Sequence, residues 1–414
     1  MKILYLNPDR GIPVLGDKGA SVHVRAFVSG AAALGHEVVL ACATLGSGNP
    51  APPARIMLMQ VPTEEEILNE ACRDLGLGAD LLSIPAARRE IERLAYDQAL
   101  PERVLRELDR MEFEPDVIYE RHALFSRAGA VIAATLGVPR ILEVNAPLVD
   151  EQARHRTLVL TGLALEREAE SYRKTDSIIA VSEAVAAHVG AAIGSRGKVR
   201  VLSNGVDIGR FDRSGRREQF RTQLGVGEEP VIGFIGSFKA WHGVEDLLDA
   251  FELVLRRHPA AKLVAVGDGP ELPVLRARAA AAPYAGQVTF AGKVPHAEIP
   301  DWLAAMDLTA APYLSQENFY FSPLKIVESL AAARPVVAPC IGQIAELVSD
   351  GQTGLLFAPG SVAGCAEAIC ALLDDPARRI EMGAAGRRFA AGRDWTNVVR
   401  QGLAFAETIA EQSV

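Results

Sequence analysis

Four stretches of the chain carry residue types suited to holding a phosphorylated ligand, and each follows a short apolar, β-branched run. In "GFIGSFKAWHGVEDLLDAF" (Gly233–Phe251), Ser237, Lys239 and His242 lie between the end of a strand pattern and the start of a helical one. A cation beside the free N–H groups of a helix start suits a phosphate, while a lone lysine in a loop reads equally as a solvated one. In "NFYFSPLKIVESLAAARPVVAP" (Asn318–Pro339), Ser322 is placed to cap a helix and Pro323 suits its first position, which aims the amides of Leu324 and Lys325 outward. Glu328 follows six residues after Ser322, about one and a half turns on. It either accepts hydrogen bonds from ligand hydroxyls or is a paired structural carboxylate. "VGDGPEL" (Val266–Leu272) supplies Gly267, which a close turn explains as well as a ligand does. In "GIPVLGDKGASVH" (Gly11–His23), Gly16 and Gly19 let backbone approach a ligand and Ser21 is a candidate cap; the alternative is an ordinary turn. The G-x-G-x-x-G spacing of a dinucleotide fold is missing from it, which argues against an NAD-dependent oxidoreductase.

Strands and helices alternate around these turns, the pattern of βαβ units on a parallel sheet. The first half reads as strands over 2–6, 37–42, 117–119, 140–144 and 177–181, with a helix over 21–34 and a long charged one over 151–175. The second half restarts with strands over 231–235, 262–266, 288–290, 308–311, 335–337 and 354–357, and helices over 244–257 and 271–281. The polar segment Asp207 to Glu229 reads as a linker, and residues 50–102 as a helical insertion without an assigned role. The predicted fold class is α/β, two Rossmann-like domains.

The 414 residues exceed one ordinary core, and 49% hydrophobic with 23% charged residues is a globular composition. Ile3 to Leu6 is too short for a signal-peptide core, and no run approaches a membrane-spanning length. Five scattered cysteines read as free thiols in a reducing compartment, so a cytoplasmic location is expected. A net charge of −9 argues against a nucleic-acid partner.

Taken in order, "SNGVD" (Ser203–Asp207), "GSFKAWHGVEDLLDAF", "VGDGPEL", "SPLKIVESLAAARPVVA" and "ELVSDGQTGLLFAPG" (Glu346–Gly360) resemble the family-4 GT-B glycosyltransferases. "GASVHVR" and "ILEVNAPL" are similar to that family's acceptor-side segments, and "DWTNVVRQGLAFAETIAEQ" to its closing helix. The resemblance implies two Rossmann-like domains facing each other across a cleft. It divides the chain into an acceptor-side domain (1–205), a nucleotide-sugar domain (206–392) and a closing helix (393–414) that packs back on the first. It implies transfer of a sugar from a UDP- or GDP-sugar, with retention of configuration and no metal or other cofactor, to an unidentified acceptor in glycan, polysaccharide or glycolipid synthesis.

On that resemblance Glu328 holds the ribose hydroxyls, the amides from Ser322 to Lys325 take the diphosphate, and Lys18, Arg121, His122 and Asn145 lie on the acceptor side. The sequence also departs from the family. Ser237 stands where the family has Arg, His242 where it has Lys, and Tyr320 where the first carboxylate of its Glu-x7-Glu pair belongs. Lys239 or Lys325 then supplies the missing charge, and Lys239, Glu328 and His122 are the catalytic candidates. Asn145 replaces a family histidine; His122 in "YERHALFS" is the other acceptor-side candidate, or a structural histidine. The departures motivate a second reading, a catalytically silent nucleotide-sugar-binding subunit; a third reading is a GT-B-fold epimerase acting on the nucleotide sugar itself. Arg121, His122, Arg127, Arg154, His155 and Arg156 form a basic stretch that faces an anionic lipid carrier or only solvent, so at most peripheral membrane contact is expected.

Overall fold

The computed structural model describes residues 1–60, 64–315, 319, 320 and 322–412. The chain forms two compact units, Met1–Ser203 together with the segment from Trp395 onward, and Asn204–Asp394. In the first, β1 (Lys2–Asn7), β2 (Glu37–Cys42), β3 (Arg55–Leu58), β4 (Val117–Arg121), β5 (Arg140–Val144), β6 (Ser177–Ala180) and β7 (Val199–Val201) form, among the described residues, one parallel sheet ordered β3-β2-β1-β4-β5-β6-β7. Its β1 explains the unbroken apolar run of the sequence. Ile3 and Tyr5 point to one face, with Phe27, Val28 and Tyr119, while Leu4 and Leu6 point to the other, with Val39, Leu100 and Ile118. A strand covered on both faces has no polar side to alternate with.

The second unit repeats the arrangement. Strands β8 (Val231–Ile235), β9 (Lys262–Val266), β10 (Val288–Gly292), β11 (Leu308–Ala310), β12 (Val336–Pro339) and β13 (Gly354–Phe357) lie in the order β10-β9-β8-β11-β12-β13. In both sheets the strand order therefore reverses once, between β1 and β4 in the first and between β8 and β11 in the second.

The helix Trp395–Gln412 contributes Trp395, Val398, Val399 and Leu403 to the first unit's core, against the helix Gly19–Ala33. Gly30 permits that approach, since a Cβ there would lie 3.1 Å from Val399.

Three expectations change. The stretch 151–175 is two helices, Leu148–His155 and Thr161–Arg173, not one. Between them the amides of Val159 and Leu160 donate to the Glu90 carboxylate at 2.9 and 2.8 Å, a partner that outcompetes the helical ladder. The segment Asp207 to Glu229 is no free linker: it contains the helix Arg217–Gln223, with Arg221 buried against the carbonyl of Ala305 and Asp307. Residues 50–102 hold helices, as read, but also the edge strand β3, too short to show a periodicity of its own. No helix among the described residues is long and apolar enough to cross a membrane.

Candidate functional site

Ligands of open α/β sheets sit beyond the carboxyl ends of the strands, where the strand order reverses. In the second unit that point lies between β8 and β11. The chain leaves β8 through Gly236, Ser237 and Phe238, passes a short 3-10 turn (Ala240–His242) and enters the helix Val244–Leu255. Lys325, on the helix Leu324–Ala331, reaches this point from the side. Its residue as a whole is only half-buried, yet its Nζ is sealed from solvent and has no hydrogen-bond partner among the described residues. Nζ lies 4.5 Å from the centre of the Phe234 ring and 4.7 Å from that of Tyr313. Burial pushes the Lys325 ammonium down to about 7, against the opposing pull of Glu328. Gly236 makes room for it: a Cβ there would stand 2.6 Å from Nζ. Gly267, at the end of β9, is required in turn because a Cβ would lie 1.8 Å from the carbonyl of Gly236.

His242 is not a cation in this arrangement. Its Nδ1 donates to the Ser237 carbonyl and lies 3.2 Å from the Ser237 hydroxyl, and its ring meets Tyr313 edge to face at 5.1 Å. Burial, with the charges of Lys325 and Lys239, pushes its pKa down to about 3. The imidazole is neutral with Nδ1 protonated, which leaves Nε2 as an acceptor. Lys239 is exposed, its Nζ 4.6 Å from the Trp241 ring centre.

Glu328 is buried, and its Oε1 lies 2.7 Å from His296 Nε2. Sequence reading missed His296, which precedes Glu328 by 32 positions and stands in no recognisable motif. Ser322 does not cap the helix. Pro323 holds the N-cap position without a side-chain hydrogen bond, and Leu324 opens the helix. The Ser322 hydroxyl instead accepts from the amide of Asn204 at 3.4 Å, and its carbonyl accepts from the Asn204 side chain at 3.0 Å. The "SNGVD" segment thus anchors the turn before the helix. Tyr320 is buried; its motif neighbours Asn318 and Phe321 lie outside the described residues.

In the first unit the reversal point between β1 and β4 is framed by a buried carboxylate network. Glu143 accepts from His23 at 2.8 Å, Tyr119 at 2.7 Å and Arg121 at 2.8 Å, and also from Asn145. Burial alone would raise its pKa, but His23, Arg121 and Asn145 outweigh it and hold the carboxyl at about 2. Neither Glu143 nor His23 was singled out from the sequence, although Glu143 lies within "ILEVNAPL". His122 is buried beside Tyr172, its Nε2 3.4 Å from Glu168, which also meets His188 at 3.2 Å. Lys18 is the N-cap residue of the helix that starts at Gly19, and its ammonium donates to the Gly11 carbonyl at 3.0 Å. Ser21 lies inside that helix with its hydroxyl buried, so it caps nothing. The basic stretch is not one patch: Arg121 is held by Glu143, Arg127 by Glu170 at 3.3 Å and His122 by Glu168, while the His155 side chain lies outside the described residues.

Residues 18–210 match the family model described as Glycosyltransferase Family 4, and residues 229–375 that described as Glycosyl transferases group 1. A glycogen synthase of Mycobacterium tuberculosis is 26% identical over 96% of this chain and 92% of its own. D-inositol 3-phosphate glycosyltransferase 1 of Catenulispora acidiphila is 30% identical over 79% of this chain and 80% of its own. Among solved structures, Alr3699/HepE of Anabaena in complex with UDP superposes with a TM-score of 0.70 and 21% identity, over 99% of this chain and 100% of that one. Such a match speaks for the fold, two Rossmann-like units of the GT-B kind. Sequence similarity sustained through both units, with glycosyltransferases as the relatives, makes this chain a glycosyltransferase that belongs to family 4.

Proposed function

We propose that this glycosyltransferase moves a sugar from a nucleotide-diphospho-sugar, with UDP or GDP as the leaving group, to an acceptor taken by the N-terminal unit. Anomeric configuration is retained and no bound metal is used. The observation that carries the reading is the Lys325 ammonium, buried without a hydrogen-bond partner among the described residues at the reversal point of the second sheet and one turn before Glu328 on the same helix. As the glycosidic bond breaks, the diphosphate gains charge, and a fixed cation in a dry site stabilises it. Lys325, the amides of Leu324 and Lys325 after Pro323, and the mobile charge of Lys239 take that diphosphate beside Ser237. His242 offers Nε2 as an acceptor, not a charge. Glu328, oriented by His296, takes the ribose hydroxyls, and Tyr320 stands near the sugar in place of a carboxylate. Gly267 lets backbone approach the donor; Lys18, Arg121, His122 and Asn145 position the acceptor. The UDP in the Anabaena complex supports a nucleotide donor, and the Catenulispora relative is named for a cyclitol phosphate acceptor.

Calorimetric titration with UDP and GDP, followed by a mass-spectrometric screen of pooled nucleotide sugars, tests the reading. Glu328→Ala should weaken nucleotide binding by about 1.5–3 kcal/mol, the loss of a hydrogen-bonded charged group. Unchanged binding, transfer and donor hydrolysis in that variant would sink the site assignment. Chelation with EDTA should leave the transfer rate unaltered. Ser237 and Tyr320, which replace a cation and a carboxylate, favour the silent-subunit reading; nucleotide binding with neither hydrolysis nor transfer would bear it out.

A further inference from the structure

A pocket of about 220 Å³ opens at the reversal point of the first sheet, beyond the carboxyl ends of β1 and β4. Pro8 to Gly11 leave β1 along one side, Ala123 to Ser126 leave β4 along another, and the helices Pro85–Arg110 and Leu148–His155 close it. Four cations line it: Arg10, Lys18, Arg93 and Arg156. Two are already engaged, Arg10 with Glu92 at 3.0 Å and Lys18 with the Gly11 carbonyl at 3.0 Å. Arg93 and Arg156 have no side-chain hydrogen bond or ion pair among the described residues.

Three carboxylates share the wall, and each has a partner of its own. Asp97 accepts the amides of Arg127 and Ala128 at 2.8 and 2.9 Å, and Asp9 accepts that of Gly11 at 2.7 Å. Glu151, on the same helix that leads to Arg156, is engaged as well. Burial lowers the pKa of the Arg93 guanidinium, and Arg156 and Arg10 add like charge against the opposing Asp9 and Glu90. A half-buried guanidinium that faces other guanidinia and lacks a direct partner is a recognition element for an oxyanion, because its fork matches a phosphate or carboxylate with two parallel hydrogen bonds.

We propose that this pocket receives an anionic group of the acceptor, a phosphate ester held by Arg93 and Arg156. The inference rests on the reading of the N-terminal unit as the acceptor side. The polar lining suits a phosphorylated head and not an acyl chain, and the ester comes from a soluble sugar phosphate or from a phospholipid headgroup.

Titration of the whole protein with inorganic phosphate, at constant ionic strength and with UDP present, reads the pocket directly. Saturable binding is expected, at least tenfold weaker in Arg93→Gln and in Arg156→Glu. Arg156 is exposed, so its substitution does not threaten folding. Equal binding by wild type and both variants, or no saturation, overturns the proposal. So does phosphate that binds through these arginines yet leaves transfer uninhibited, since the anion then lies off the acceptor path. Titration with UDP alone reads the donor site separately: its failure, with phosphate binding intact, counts against the nucleotide-sugar reading and not against the pocket. Competition by glucose 6-phosphate, compared with flotation on phosphatidylglycerol and on phosphatidylcholine vesicles, assigns the source of the ester.

Discussion

An ammonium sealed from water without a hydrogen-bond partner among the described residues weakens the fold, and Lys325 holds that position with only the opposing pull of Glu328. Its pKa of about 7 in the folded chain lies below the roughly 10.4 of an unfolded lysine. Between those values the unfolded state binds more protons, so Lys325 makes stability rise with pH across that window. Lys325→Met should therefore stabilise the protein near pH 7 by up to a few kcal/mol, and the gain should vanish as the pH approaches about 10.5. Urea unfolding at several pH values reads this directly; a variant less stable than wild type at neutral pH would refute it. The same variant should lose UDP affinity at least tenfold. In the wild type, affinity should decline as the pH rises above 7 and the unliganded ammonium deprotonates, and a flat profile would contradict the assigned role. At this scale the sequence was informative where chemistry follows the chain. Ser237, Lys239, His242 and Lys325 are legible because strand-to-helix turns are where ligands sit. The neutrality of His242 and the pairing of Glu328 with His296 depend on burial and on contacts between distant segments, which spacing does not encode.

Among the elements, the alternation of apolar runs and amphipathic stretches recovers all six strands of the second sheet and five of the seven of the first, to within a few residues at the strand ends, and misses the short edge strands β3 and β7. It fails where a polar segment is ordered by charge and not by apolar periodicity. Asp207 to Glu229 looks like a linker because its contacts are made by arginines. Arg221 bonds the carbonyls of Gly227, Glu229 and Ala305, and Arg217 those of Ala304 and Met306, at the carboxyl end of the helix Ile299–Ala305. Cations there offset the negative end of the helix dipole and satisfy its orphan carbonyls. Asp307 keeps Arg217 at 2.7 Å, but Arg221→Ala strips the carbonyls of Gly227, Glu229 and Ala305 of a buried donor and should cost about 3 kcal/mol. Arg216→Ala, which removes an exposed ion pair with Asp301, should cost well under about 1 kcal/mol. Thermal unfolding of the two variants separates an anchored helix from a linker, and equal melting temperatures would favour the linker.

For the molecule as a whole, chain order and structural unit do not coincide, because the last helix belongs to the first unit. The reason is visible in the N-terminal core. Trp395, Val398, Val399 and Leu403 lie in the same cluster as Tyr5, Phe27 and Tyr119, and the Trp395 ring meets His23 edge to face at 4.9 Å. Burial of large apolar side chains contributes roughly 1.5–3 kcal/mol each, so loss of this helix should remove on the order of 5–10 kcal/mol. That is comparable with the whole net stability of a domain, about 5–15 kcal/mol. The C-terminal unit has two apolar clusters of its own, built without any residue of the last helix. A chain ending at Asp394 should accordingly lose the calorimetric transition of its N-terminal unit while that of the C-terminal unit persists, and it should still bind UDP with the affinity of the intact protein. Two transitions at unchanged temperatures would mean that the helix is dispensable to the first core. Loss of UDP binding along with the first transition would mean that the donor site depends on more than the unit in which its residues reside.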